Sequence, residues 1–404
     1  MYKGTGCRAQ EQAPFMKSTT EHHKRQNISA GITRRQFLSA LGFSGAALVL
    51  GGGNCCQNPV APALYSQPGK IAVNSLTTDT APMRKPLVAI GQAETYDAPI
   101  IRNQMETMLE KIGGLKDLVK PGVRVGIKVN LTGGSSLDSK KNKWGTESFV
   151  THPEVLRGLG ELLKDAGAGK IYCMEGMGDE TCWEKFGYTS VAKPLGIELI
   201  NLCKPAPYRR FESFPVGPEF FVYEQFFFHP FVQELDVFVS VGKVKCHHSV
   251  GVTLTMKNLV GLVPVDPYQR KAGDHKRTAF HDVREFDTRL PRVILDLNRA
   301  RPIHLAVLDG VMTSEGGEGP WEKNFSQVKP GILLASKNPL GADAVATAIM
   351  GFDPNAPSGT LPFVRSDNYL ALARENGFGT NVLKEIDIVN SSIEEVQCNF
   401  KPVL

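Results

Sequence analysis

The 404-residue chain is 42% hydrophobic, enough apolar side chain for one large domain or two smaller ones with sizeable cores. Its formal charge of +5 sits at the start: residues 1–63 hold seven Lys/Arg and two Asp/Glu, leaving 39 basic against 39 acidic residues in the remainder. A neutral body without an arginine-rich arm excludes nucleic acid as the main partner, because binding a phosphate backbone needs clustered, uncompensated cations.

Thr33-Arg34-Arg35-Gln36-Phe37-Leu38 reads as a twin-arginine export signal. Paired arginines precede an apolar run, Phe37 to Val49, too short and glycine-rich for an ordinary membrane span, and Ala61-Pro62-Ala63 offers a small-x-small cleavage site. The Cys55-Cys56 pair follows Gly52-Gly53-Asn54, a poor lipid-attachment match. The expectation is a protein that uses the twin-arginine translocation machinery and works in the periplasm or another extracytoplasmic space. It would touch the membrane only through the signal segment, with an uncleaved anchor as second choice. Export in the folded state suits a metal or redox cofactor loaded in the cytoplasm, but the cofactor is unknown. Cys173, Cys182, Cys203, Cys246 and Cys398 contain no C-x-x-C, so neither an iron–sulfur cluster nor a structural zinc is signalled. In an oxidising compartment this odd set allows at most two disulfides.

A Pro-, Ala-, Ser- and Thr-rich linker, about 64–85, leads into a body spanning 86–404, where short apolar runs alternate with helical patterns. This predicts an α/β fold with a mixed or mainly parallel sheet flanked by helices. Strands are expected at Val123–Val129, Lys170–Met174, Ile197–Leu202, Val237–Val244, Ile303–Leu308, Ile332–Ala335 and Ile386–Val389. Helices are expected from a Thr151 capping box to Ala166, over Thr253–Leu262, from Asp282 to Arg299 with a kink or split at Pro291, and over Leu340–Met350. An aromatic- and proline-rich insertion, 208–228, reads as a β-hairpin or a lid.

Ligands of open α/β sheets sit at the carboxyl ends of strands, so polar residues there are the candidates. Lys128 and Asn130 close one strand and share a face, and Glu175-Gly176 closes the next. The row Val237, Val239, Val241 turns into Lys243, Lys245 and His247, a core face becoming a cationic one. Thr253 and Lys257 would share a helical face beside Asn258. No acid falls within this stretch, and such a cluster is costly unless an anion, a carboxylate or water neutralises it. Asp309, Glu315 and Glu318 lie in a glycine-rich segment that can hold a cation or steer a substrate. No G-x-G-x-x-G after a strand, no Walker lysine pattern and no G-x-S-x-G occurs.

Gly242-Lys243-Val244-Lys245-Cys246-His247 followed by Thr253-Leu254-Thr255-Met256-Lys257-Asn258-Leu259-Val260-Gly261 resembles the signature of the family called domain of unknown function 362. Gly126-Ile127-Lys128-Val129-Asn130, the Thr151–Ala166 helix, Leu308-Asp309-Gly310 and Asn338-Pro339-Leu340-Gly341-Ala342-Asp343-Ala344-Val345-Ala346 match it too, over about 86–351. The resemblance implies a site at Lys128, Asn130, Lys243, Lys245, His247, Thr253, Lys257, Asn258, Asp309 and Asp343 without assigning roles. Many members resemble carriers of ferredoxin-type clusters in an added cysteine-rich module, which this chain lacks.

The leading expectation is an exported enzyme that binds a small anionic substrate or cofactor in a cleft lined by Lys and His. Lys243, Lys245 and Lys257 would neutralise the anion, His247 would move protons, and one lysine with a lowered pKa would serve as base or nucleophile. Lys128, Asn130, Glu175, Thr253, Asn258, Asp309 and Asp343 would line it. The alternatives are a metal or redox-cofactor protein with His247, Asp309 and Glu315 as ligands, and an extracytoplasmic solute-binding protein.

Overall fold

Runs rich in Val, Ile and Leu bury both faces at once when they pair inside a sheet with helices on either side. The computed structural model describes residues 85–134, 145–274 and 276–404. The signal region 1–63 with Arg34 and Arg35, and the linker up to residue 84, lie outside the described residues. Those described belong to one compact unit, Thr80–Leu404.

The strands are β1 (Leu87–Gln92), β2 (Arg124–Lys128), β3 (Lys170–Glu175), β4 (Glu198–Asn201), β5 (Glu212–Pro215), β6 (Gln225–Phe228), β7 (Val237–His247), β8 (Gly251–Thr253), β9 (Leu305–Glu315), β10 (Ser326–Val328), β11 (Ile332–Ser336) and β12 (Asp387–Val389). The α-helices are α1 (Ala98–Lys111), α2 (Pro153–Asp165), α3 (Cys182–Lys185), α4 (Tyr188–Leu195), α5 (Arg289–Ala300), α6 (Pro339–Ile349), α7 (Tyr369–Glu375) and α8 (Ile393–Val396). The main sheet runs β12-β1-β11-β9-β7-β2-β3-β4, with β10 beside β9 and β8 beside β7. Strands β9, β7, β2, β3 and β4 are mutually parallel, whereas β11 runs antiparallel to both β9 and β1. The fold is α/β with a mixed sheet.

Alternation along each strand sorts side chains between two cores. Ala89, Ile127, Val239, Val241, Val307 and Leu333 face a cluster shared with α1, α2 and α4. Val88, Ile90, Met174, Phe238, Leu308 and Leu334 face the other, shared with α5, α6 and α7. On α5, Leu290, Val293, Ile294 and Leu297 are at most 1% exposed, and each such side chain contributes about 1.5–3 kcal/mol of apolar burial.

Several elements depart from their sequence patterns. Helix α2 is capped by His152, which accepts from the Glu154 N–H, rather than by Thr151. The Thr151 hydroxyl instead bridges strand ends, donating to the Val241 carbonyl and accepting from the Asn130 N–H. No helix covers 282–288: α5 begins at Arg289, and Pro291 falls in its first turn, where no intrahelical donor is lost and no kink results. The expected helix Thr253–Leu262 is a short strand, β8, followed by a 3-10 turn at Lys257–Leu262. Gly251 at φ 76° starts the return strand and β-branched Val252 and Thr253 extend it. Asp343 of α6 then accepts from the N–H groups of Thr255 and Met256, removing two donors from any helical ladder. Strand β9 passes through Asp309 and Gly310 to Glu315 instead of stopping at Leu308. The 208–228 insertion contains a two-stranded antiparallel hairpin, β5–β6, with Phe226 and Phe228 buried. Helix α1, with Asp97 as its cap, is an element the sequence pattern did not suggest.

Candidate functional site

The carboxyl ends of β2, β3, β7 and β9 bring four lysines together in two different ways. Lys128, the last residue of β2, lies 2.9 Å from Glu175 at the end of parallel β3, and neither side chain exceeds 4% exposure. The Lys128 ammonium also donates to the Val129 carbonyl at 2.7 Å and to Asn258 Oδ1 at 3.2 Å. Asn258 ties the strand ends further, donating to the Lys128 carbonyl and accepting from Asn130 Nδ2. The second Glu175 oxygen accepts from the Leu131 N–H at 2.9 Å. Only glycine fits at 261, because a Cβ there would collide with Lys128 Nζ and Glu175 Oε1. Burial pulls the Lys128 pKa down, and Glu175 partly restores it.

Lys243 repeats this design. It is the register partner of Asp309 across the parallel β7–β9 ladder, and its ammonium lies 2.9 Å from Asp309 Oδ2 with both side chains at 0% exposure. It also donates to the Tyr96 hydroxyl at 2.9 Å, which in turn donates to Asp309 Oδ1 at 2.8 Å. The Tyr96 ring stacks on His152 with centroids 3.7 Å apart. Burial, then the Asp309 charge, hold the Tyr96 phenol well above its ordinary pKa. Burial lowers His152 to about 4. Lys243 itself is lowered by burial and raised back by Asp309.

Between Lys243 and Lys245 the β7–β9 register shifts, so that Lys245 is opposite Ser314 and not an acid. Lys245 is 1% exposed, and among the described residues its ammonium donates only to the Phe149 carbonyl, at 2.6 Å. Burial drives its pKa well down, Glu318 opposes this, and Lys257 and Lys243 add to it. Thr253 is the register partner of Lys245 on β8, and its hydroxyl is buried without a partner among the described residues, as is Asn130 Oδ1. Lys257 is half-buried and, among the described residues, makes no hydrogen bond or ion pair. Burial lowers it to about 8 against the pull of Glu318.

His247 is pushed well below its ordinary pKa by burial and then by Lys257. Its Nδ1 accepts from the Ser249 N–H at 3.1 Å, so the neutral ring carries its proton on Nε2. Burial would raise Glu318, but His247, the His248 N–H at 3.0 Å and Lys257 outweigh it and hold the carboxyl at about 2. His248 is on the opposite side of the turn, 3.8 Å from Glu322.

The family model described as Domain of unknown function (DUF362) matches residues 125–348, more than half of the chain. This chain belongs to that family. The DUF362 match spans β2 through most of α6 and so includes all four lysines, whereas Tyr96 of the Lys243 network precedes it. The chain is 27% identical over 319 residues to the "Thylakoid-associated protein sll1697" of Synechocystis sp., covering 76% of this chain and 88% of that protein. A crystal structure of a Thermotoga maritima protein superposes with a TM-score of 0.28 at 13% identity, covering 59% of this chain and 56% of the other.

Of the residues singled out in the sequence, Lys128, Asn130, Glu175 and Asn258 form one network and Lys243 and Asp309 a second, whereas Lys245, His247, Thr253 and Lys257 are not bonded to one another: Lys245 faces Thr253 across β7–β8, and Lys257 lies near His247. Thr253 and Lys257 meet through a strand and a 3-10 turn, not along one helix face. Asp343 stands apart: buried, at a pKa of about 7, it accepts from Thr255 and Met256 and so fixes the backbone before Lys257. Glu315 is occupied by the C-terminal segment, 2.8 Å from Lys401 Nζ and 2.9 Å from its N–H. His247, Asp309 and Glu315 therefore go to separate partners. Among the described residues no three His, Cys, Asp or Glu side chains group in a way that suits a metal ion. The five cysteines of the body are free thiols. Cavities of about 610 and 540 Å³ open elsewhere, along Leu383–Glu395 and between Met256, Arg299 and Phe378, and none of the four lysines lines them.

Sequence reasoning missed Tyr96, His152, Phe149 and Arg277. Each reaches the site from a loop or a helix cap, where no period marks the residue. Glu318 had a weak signal, its place after a strand in a glycine-rich turn.

Proposed function

We propose that this DUF362 protein is an enzyme that binds a small anion at Lys245, Thr253, His247 and Lys257 and moves a proton on it. One observation carries the reading: Lys128 and Lys243 each have a carboxylate at 2.9 Å, whereas Lys245 has a carbonyl and Lys257 has no partner among the described residues. A buried ammonium without an anion is expensive, and a bound carboxylate or phosphate supplies the missing charge. The unpartnered Thr253 hydroxyl gives the anion a neutral hydrogen bond.

The chemistry follows from protonation states. His247, neutral with its proton on Nε2, donates a hydrogen bond to an oxygen that gains charge, without itself adding a formal charge. Lys257, at about 8, is roughly nine-tenths ammonium at pH 7, so it pairs with the anion and gives up a proton to it more readily than an ordinary lysine. Lys245 anchors. The test is thermal unfolding with increasing inorganic phosphate and, separately, acetate. The wild type is expected to gain stability with anion and Lys257→Met to gain none; equal responses would remove the reading.

We also propose that the chain is exported through the twin-arginine pathway, with the membrane touched only by the signal segment. Support comes from Arg34-Arg35, the short apolar run and Ala61-Pro62-Ala63. Replacing both arginines by lysine is expected to retain the protein in the cytoplasm of a host with that pathway; unchanged export would refute the proposal.

A further inference from the structure

The number of charges around Lys257 exceeds what a single monoanion neutralises. Besides Lys257 and Lys245, Arg277 lacks a carboxylate partner. Its Nε donates to the Val263 carbonyl at 2.8 Å, and its Nη2 donates to the Gly176 carbonyl at 3.0 Å and touches Cys203 Sγ at 3.8 Å. Gly176 joins Arg277 to the lysines. Its N–H donates to the Gly261 carbonyl at 2.9 Å, and Gly261 packs directly on Lys128 and Glu175 in the same 3-10 turn that Lys257 opens. A side chain at Gly176 would strike both Arg277 Nη2 and the Gly261 carbonyl, so the packing is close throughout.

The charged groups can be counted element by element. From β2 comes Lys128, from β7 Lys245 with neutral His247, from the 3-10 turn Lys257, and from the loop before α5 Arg277 and, nearer His247, His281. Against them stand Glu175 at the end of β3 and Glu318 after β9. With all four protonated, as a bound anion favours, four cations face two carboxylates. Glu175 is committed to Lys128, to the Leu131 N–H and to the Gly176 N–H, and Glu318 is tied to the His248 N–H and to Trp321 Nε1. Neither has a cation of its own to spare, and an excess of two positive charges is left at half-buried or buried positions.

We infer that the ligand of this site is a small dianion, a phosphate or phosphate monoester or a short dicarboxylate, held by Lys245, Lys257 and Arg277 with Thr253. The inference rests on the anion-binding reading above and narrows it to a substrate class. Two negative charges within one small molecule match the two surplus positive charges, and Arg277 Nη1, without a partner among the described residues, is left to donate to it. Lys257, partly neutral near pH 8 when the site is empty, takes up a proton when the dianion arrives, so binding is linked to proton uptake.

The deciding experiment is calorimetric titration of the purified protein at pH 8 with inorganic phosphate, sulfate and malonate against nitrate and acetate. All are run at matched ionic strength and in two buffers of different ionisation enthalpy. The expected result is that the doubly charged probes bind at least tenfold more tightly than the singly charged ones, with up to about half a proton taken up per ligand. Arg277→Met, checked for native unfolding behaviour, is expected to reduce the affinity for dianions at least tenfold and to change acetate affinity less than threefold. Acetate and nitrate binding within twofold of phosphate, sulfate and malonate would overturn the dianion inference and leave an anion site standing. Absence of saturable binding by all five probes would overturn both.

Discussion

Lys128 and Lys243 sit at strand ends on the same sheet as Lys245, and all three are at most 1% exposed. The first two are closed systems. Each ammonium has a carboxylate at 2.9 Å, and the carboxylate's other oxygen or neighbouring groups are occupied by backbone N–H or a phenol. Lys245 and, a turn further on, Lys257 form an open system in which positive charge is held by carbonyl oxygens, a distant Glu318 and little else. A pair of charges that satisfy each other inside the protein belongs to the fold, whereas a cation held without its counter-charge is arranged for something that comes and goes.

Breaking a closed pair is expected to give the largest effect. Asp309→Ala leaves Lys243 buried without a counter-charge and removes the acceptor of the Tyr96 hydroxyl and the His152 N–H. A loss of about 3–5 kcal/mol is predicted in chemical denaturation, and Glu175→Ala is expected to match it through Lys128. A loss under about 1 kcal/mol in both would place these pairs outside the structural core.

The open system should respond with the opposite sign. Lys245→Met removes an ammonium that only a carbonyl satisfies, and it is predicted to raise stability by about 1 kcal/mol while lowering phosphate affinity at least tenfold. Destabilisation as large as that of Asp309→Ala would make Lys245 another closed structural group. A smaller effect is expected with pH. Because burial sets Lys257 at about 8, affinity for sulfate, whose charge does not change in this range, should hold below that value and fall as pH rises through it, as the ammonium loses its proton. Affinity that climbs between pH 8 and 9.5 would contradict this assignment. The smallest change is predicted for Glu318→Gln: removing the carboxylate that opposes the ligand should raise phosphate affinity about threefold, measured by calorimetry.

Strand ends were readable in the sequence because period two is local. The switch from Val237, Val239 and Val241 to Lys243, Lys245 and His247 marks a face leaving the core, and all three residues do lie along β7. Which lysine is neutralised was not readable. Lys243 finds Asp309 66 residues away and Tyr96 147 residues away, and Lys245 finds the Phe149 carbonyl 96 residues away. The same limit explains the misread helix at Thr253–Leu262. Its apolar spacing suits a helix, but Asp343, 88 residues on, takes the Thr255 N–H and turns the chain into the 3-10 segment that presents Lys257. The aromatic insertion left two options open in the sequence, and pairing of Phe214 with Phe226 across β5–β6 resolves it as a hairpin.

The distinction between closed and open lysines is tested most directly by NMR titration of lysine side chains, with Lys257 and Lys243 assigned by substitution. Lys257 is predicted to titrate near pH 8 in the free protein and to move upward when phosphate is bound, while the Lys243 signal stays unmoved by phosphate. A Lys257 signal that titrates near 10.5 with or without phosphate, or a Lys243 signal that shifts as much as Lys257 does, would contradict it.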